Sequence, residues 1–169
     1  MKLWNKAAAL AAVVVAFSVV SAPQAFAKGE FIEWNSRANP LTVSGYGSTG
    51  YSYGRFRVAD SSAGTRAFDD GWVKLSNADN HRVYITQATL VNSGSCIAPS
   101  FLSCTQQYYV QDRAESPHDN RTGAWLSAKS STGVDDVADY ARGAMRTCLD
   151  IPLRTDPCSG QTLTAGTQY

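Results

Sequence analysis

The residues whose types could do chemistry are few and scattered. His118-Asp119 is the most catalytic-looking pair, because a histidine beside a carboxylate can act as a general base once a nucleophile and an orienting group are in reach. His118 follows Pro117 in a polar loop where exposed histidines are common. The sequence therefore assigns no catalytic residue. His81 opens a β-forming run behind Asp79 and Asn80 and reads as a strand-edge residue making local hydrogen bonds.

Asp69 with Asp70, or Asp135 and Asp136 with Asp139, could supply oxygens to calcium. Neither group matches the spaced D-x-[DN]-x-[DN]-G loop, so both read as turn or cap chemistry. There is no C-x-x-C and no paired histidine, which removes the case for zinc, and neither metal nor cofactor is expected. Glycoside hydrolysis needs two carboxylates converging on one sugar. Fourteen acids make such a pair available, but the sequence does not single one out. Trp34, Trp72 and Trp125 could form a sugar-stacking platform with the tyrosines, although core and strand packing is the ordinary role. Tyr46, Tyr51 and Tyr53 interleave with Gly45, Gly47, Gly50 and Gly54. That pattern fits an aromatic ligand surface or, as the expectation adopted, two strands joined by a glycine-rich turn. No ligand-binding residue is assigned. Asn120-Arg121-Thr122 fits a glycosylation sequon.

The compartment is more legible. Lys2 and Lys6 precede an apolar run from Ala7 to Val20, and Ala25-Phe26-Ala27 puts small residues where signal peptidase cuts. The run is shorter than the ~20 residues a spanning helix needs. The pattern predicts a secretory signal over 1–27 and a mature domain over 28–169, with an extracellular destination. Of 15 basic and 14 acidic residues the signal removes two lysines, leaving a net charge of −1. A near-neutral chain with no basic run offers no electrostatic case for nucleic acid, and no later apolar run is long enough to span a membrane.

The four cysteines, Cys96, Cys104, Cys148 and Cys158, all lie beyond the signal. An even count in an exported chain reads as disulfides, with three pairings open. Cys96–Cys104 and Cys148–Cys158 are favoured, since each pair flanks a turn-rich segment. Loops this short would each stabilise the fold by roughly 2–3 kcal/mol through the unfolded chain's lost entropy.

The elements that must position these groups are mostly strands. Phe31 to Trp34 reads as a brief edge strand or a loose arm, and Leu41 to Ser44 as a strand. Phe56 and Val58 alternate with polar residues at the period of a half-buried strand. Asp69-Asp70-Gly71 reads as a turn before a short strand, Trp72 to Leu75. His81 to Val91 is a long strand that re-forms at Gln106 to Gln111, the two making a hairpin across Cys96 and Cys104. Pairing those cysteines puts Leu90 opposite Val110 and Asn92 opposite Tyr108. That register calls for a bulge, placed at Asn92 to Ser95, or for a strand buried on both faces. Glu115 to Arg121 reads as a loop, Gly123 to Lys129 as a strand, and Ser130 to Gly133 as a turn. From Val134 to Leu149 the apolar residues fit helical spacing slightly better than strand parity, giving a single helix near 134–146 on periodicity alone. Two prolines then force a constrained tip, with a last short strand near Gln161 to Thr164.

The closing stretch Cys148-x-Asp150-x-Pro152-x-Arg154-x-Asp156-Pro157-Cys158-Ser159 resembles the ends of small exported actinobacterial proteins of unassigned function. The resemblance covers about a dozen residues closely and the last third loosely. It implies export, a terminal disulfide and a strand from about Tyr140 to Asp150, and it brings no activity with it.

The expectation is a mainly β, single-domain antiparallel β-sandwich with two short-loop disulfides. The expected role is a non-catalytic extracellular or envelope-associated protein, such as a binding module for an extracellular ligand or protein. The alternatives are a small secreted hydrolase of polysaccharide or peptide, and an enzyme inhibitor presenting Ile97 to Ser103 or Ile151 to Pro157 as a clamped loop.

Overall fold

A computed structural model describes residues 27–77, 80–92, 108–134, 138 and 140–169. Ten strands follow in chain order. They are β1 (Ile32–Trp34), β2 (Leu41–Gly45), β3 (Ser48–Ser61), β4 (Gly64–Leu75), β5 (Arg82–Asn92), β6 (Tyr108–Glu115), β7 (Leu126–Gly133), β8 (Tyr140–Asp150), β9 (Thr162–Leu163) and β10 (Thr167–Gln168). The first sheet runs β1-β3-β4-β7, with β2 also on β3. The second runs β10-β8-β5-β6, with β9 also on β8. All pairings between these strands are antiparallel, and the two inner faces share one apolar core, so the β-sandwich expectation holds.

Alternation sets the faces. In β3 Phe56 and Val58 point inward while Tyr51, Tyr53, Arg55 and Arg57 point outward, and β4 matches with Val73 and Leu75 inside. In β5 Val83, Ile85 and Val91 meet Met145 and Leu149 of β8 in the core. Each such side chain contributes on the order of 1.5–3 kcal/mol on full burial. The sheets also approach over glycine. A methyl group on Gly143 would lie 2.4 Å from Met145 Cε and 2.7 Å from Phe56 Cδ2.

Hydroxyls and amides join the sheets where apolar pairs are missing. Ser52 of β3 hydrogen-bonds Thr147 of β8, and Thr89 of β5 hydrogen-bonds Thr132 of β7. Ser130 Oγ donates to Gln87 Oε1 at 2.7 Å, while Gln87 Nε2 donates to the Ala67 carbonyl. Buried polar groups are tolerable when partnered in this way.

The hairpin register is as expected, with Leu90 opposite Val110 and Asn92 opposite Tyr108. The bulge, however, sits lower. Thr89 pairs with Asp112, so Gln111 is the extra residue, on the edge strand β6. The Cys96–Cys104 pairing falls outside the described residues. Cys148–Cys158 is formed, with its Cα atoms 4.1 Å apart.

Three local readings are corrected. Asp69-Asp70-Gly71 is the middle of β4, not a turn. There Asp69 binds Trp34, Asp70 reaches Lys129, and Gly71 lies opposite Gly54 where no side chain would fit. Ser130 to Gly133 continues β7, because its hydroxyls are the inter-sheet partners just named. The helix that periodicity allowed over 134–146 is absent among the described residues, and the strand expected from about Tyr140 to Asp150 is present. Tyr140–Asp150 forms β8, whose eleven pairings with β5 outweigh a local helical spacing. Ala27 apart, the expected signal lies outside the described residues. Among those described, no helix is long and apolar enough to cross a membrane.

Candidate functional site

The catalytic-looking pair is taken apart by the fold. Asp119 exchanges backbone hydrogen bonds with Val83, and its carboxylate takes the guanidinium of Arg121 at 2.6 Å, which holds its carboxyl below the usual range. His118 turns the other way. Its Nδ1–H donates to Asp150 Oδ2 at 2.9 Å, Glu115 Oε2 lies 3.5 Å from Nε2, and its ring stacks on Tyr84 at 4.1 Å. The nearby Ser116 hydroxyl donates to the Pro117 carbonyl and accepts the Ile85 amide. No hydroxyl nucleophile bonds His118 among the described residues, so no triad is assembled.

His81 is buried, and its hydrogen bond is not local. Nδ1 donates to Ser48 Oγ at 2.8 Å, and Ser48 in turn donates to the Asn77 carbonyl. The serine proton is therefore committed to a backbone oxygen, and the pair fastens the start of β3 to the start of β5.

The acids also separate. Asp69 and Asp70 lie on opposite faces of β4, and Asp135, Asp136 and Asp139 fall outside the described residues. Among the described residues no three His, Cys, Asp or Glu side chains gather as metal ligands. Asp69 is fully buried, with Oδ1 accepting the Trp34 indole N–H at 2.9 Å and Oδ2 unpartnered. Desolvation pushes its carboxyl up to about 8, against the lowering effect of the indole donor.

The tryptophans divide by role. Trp34 belongs to the core, whereas Trp72 and Trp125 stand half-buried on the outer face of the first sheet with Tyr53. Tyr53 and Trp72 are cross-strand neighbours whose rings lie 14° from parallel with centroids 5.2 Å apart. Trp125 meets Tyr53 edge-on at 4.8 Å. The flat, open row expected of a sugar platform is thus absent, since Tyr53 and Trp72 spend a ring face on each other. The sequence did not foretell what lies next to them. Arg55 sits 4.2 Å and Arg57 4.7 Å from the Phe31 ring, and Arg55 also lies over Trp72 at 5.7 Å. Neither guanidinium has a carboxylate partner among the described residues, and both Nε atoms are buried without an acceptor. Two hollows, of ≈ 410 and ≈ 460 Å³, flank the aromatic group, and Arg37 lines both.

The second sheet carries a larger trough of ≈ 1010 Å³. Its floor includes Ala88 and Ala144, and Arg113, Arg146, Glu115 and Asp156 stand around it. Its acids are already committed. Asp156 accepts the Tyr84 hydroxyl at 2.8 Å and the Ile151 amide at 3.2 Å, and Glu115 lies against His118. Burial, then the Asp156 hydrogen bond, pushes the Tyr84 phenol up.

The disulfide-closed tip is rigidly held. Arg154 N–H donates to the Ile151 carbonyl, Leu149 N–H to that of Pro157, and the Arg154 guanidinium covers the Tyr46 ring at 4.6 Å. Leu153 is fully exposed at φ 64° behind Pro152, the pattern of a type II turn. An inhibitor of the substrate-mimicking kind needs an extended segment there, and this is a tight turn. Set against protein families, curated proteins and solved structures, the chain matches none.

Proposed function

We propose that this protein is an exported, non-catalytic binding module whose ligand lies on the outer face of the first sheet. One observation carries the reading. Tyr53, Trp72, Trp125 and Phe31 form a half-exposed aromatic group that holds two arginines without an ion-pair partner among the described residues. Aromatic and arginine side chains are the residue types that supply most binding energy at recognition surfaces. The groups that would serve catalysis are engaged elsewhere: His118 with two carboxylates, Asp156 with Tyr84, and Ser48 with Asn77. Export rests on the signal-like N-terminus and fits the Cys148–Cys158 disulfide.

Affinity electrophoresis through gels containing a β-glucan, a xylan or a polyuronate tests the reading. Retardation by at least one polymer, abolished in Trp72→Ala and kept in His118→Ala, supports it. Retardation by none of them, or loss only in His118→Ala, refutes it.

A further inference from the structure

The charge on this face is segregated in a way the whole chain is not. The complete sequence carries a formal net charge of only +1. Yet Arg37, Arg55, Arg57 and Lys74 all reach the outer face of the first sheet, and none has an ion-pair partner among the described residues. Asp70, opposite Arg55 on β4, is occupied by Lys129 at 3.5 Å, and Glu33, opposite Arg55 on β1, is the only acid among the described residues lining either hollow. The alternation of β3 brings this about, placing arginines at positions 55 and 57 on the aromatic side.

The stacking geometry narrows the ligand further. Neutral sugars and unpaired bases are both held chiefly by open aromatic faces. Here Tyr53 and Trp72 cover each other, Trp125 sets its edge against Tyr53, and Phe31 lies beneath two guanidiniums. What the rings leave unpartnered is the pair of guanidiniums of Arg55 and Arg57, oriented by the Phe31 and Trp72 rings, with their Nε atoms buried and lacking acceptors. Such forks recognise carboxylates through paired, charge-assisted hydrogen bonds. The odd residues of β3 from Tyr51 to Arg57 extend over ~20 Å, which suits a polymer better than a single sugar.

Building on the binding-module reading, we infer that the ligand is a carboxylate-bearing polysaccharide, a polyuronate, bound along β3 and β4. Its carboxylates pair with Arg55 and Arg57, and Arg37 bridges the two flanking hollows. Its ring edges pack beside Trp72 and Trp125.

The test is calorimetric titration of the protein with polygalacturonate, with the same polymer fully methyl-esterified, and with an oligothymidylate. The expected result is binding to the free acid that weakens at least about tenfold on esterification, because esterification removes the charge-assisted bonds. Arg55→Gln with Arg57→Gln should weaken it similarly while leaving the thermal midpoint in place, and rising salt should weaken it too. Equal affinity for the esterified polymer overturns the acidic ligand and leaves the module reading intact. Tighter binding of the oligothymidylate overturns it in favour of nucleic acid. No binding to any of the three overturns both.

Discussion

Trp34 and Asp69 meet inside the sandwich, the indole N–H donating to a carboxyl oxygen that water does not reach. Because burial raises this carboxyl from 3.8 to about 8, the folded protein keeps the proton where the unfolded chain has released it. The unfolded state therefore binds fewer protons between about pH 4 and pH 8, and stability must fall as pH rises through that window. The slope approaches about 1.4 kcal/mol per pH unit at most, and above about pH 8 the loss is complete. Asp69→Asn keeps an acceptor for Trp34 and removes the charge. Urea denaturation at a series of pH values should show the slope in the natural protein and a flatter profile in the variant.

Gly143 lies under Phe56, with Met145 Cε only 2.4 Å from where a methyl group would stand. Gly143→Ala should cost about 1–3 kcal/mol through overpacking. Gly133→Ala, in β7 with nothing within 4 Å, should be close to neutral. Thermal midpoints of the two variants make the comparison.

Cys148 and Cys158 close a loop whose tip is already bonded through Asp156 and Pro157. Replacing both cysteines by serine should lower stability by roughly 2–3 kcal/mol, mostly through the freed unfolded chain. The amide of Ile151 should then lose much of its hydrogen-exchange protection, since its acceptor Asp156 is no longer held by the clasp.

Leu153 occupies left-handed backbone at φ 64° with its side chain wholly in solvent. Nothing in the fold compensates a branched side chain there, so Leu153→Gly should raise stability by about 1 kcal/mol or less. Denaturant midpoints decide it, and a marked destabilisation would mean that the leucine is not as exposed as described.

How much of this was readable in advance depends on whether the signal was local. Val83, Ile85 and Val91 announce β5 by their alternation, and two cysteines on either side of a turn-rich loop gave the β5–β6 register. Asp69-Asp70-Gly71 and Ser130 to Gly133 carry turn residues, and they are strands because of partners far away in sequence: Trp34, Gln87 and Thr89. No window along the chain contains those partners. The proposed binding face was half legible. The tyrosines and tryptophans were visible as a choice between platform and packing. The basic residues left without an ion-pair partner among the described residues were not, because Arg37, Arg55, Arg57 and Lys74 form no run and gather only when β3 and β4 pair and the chain before β2 folds alongside.

Ligand is proposed to meet the aromatic and arginine face of the first sheet. Nitrogen-correlated NMR of the indole N–H groups during titration with oligogalacturonate addresses it directly, with the core indole as internal reference. The Trp72 and Trp125 resonances should move together while Trp34, hydrogen-bonded to Asp69 in the core, stays in place. Unmoved Trp72 and Trp125 signals at saturating ligand, with shifts confined to residues around the Tyr84 trough, would contradict it.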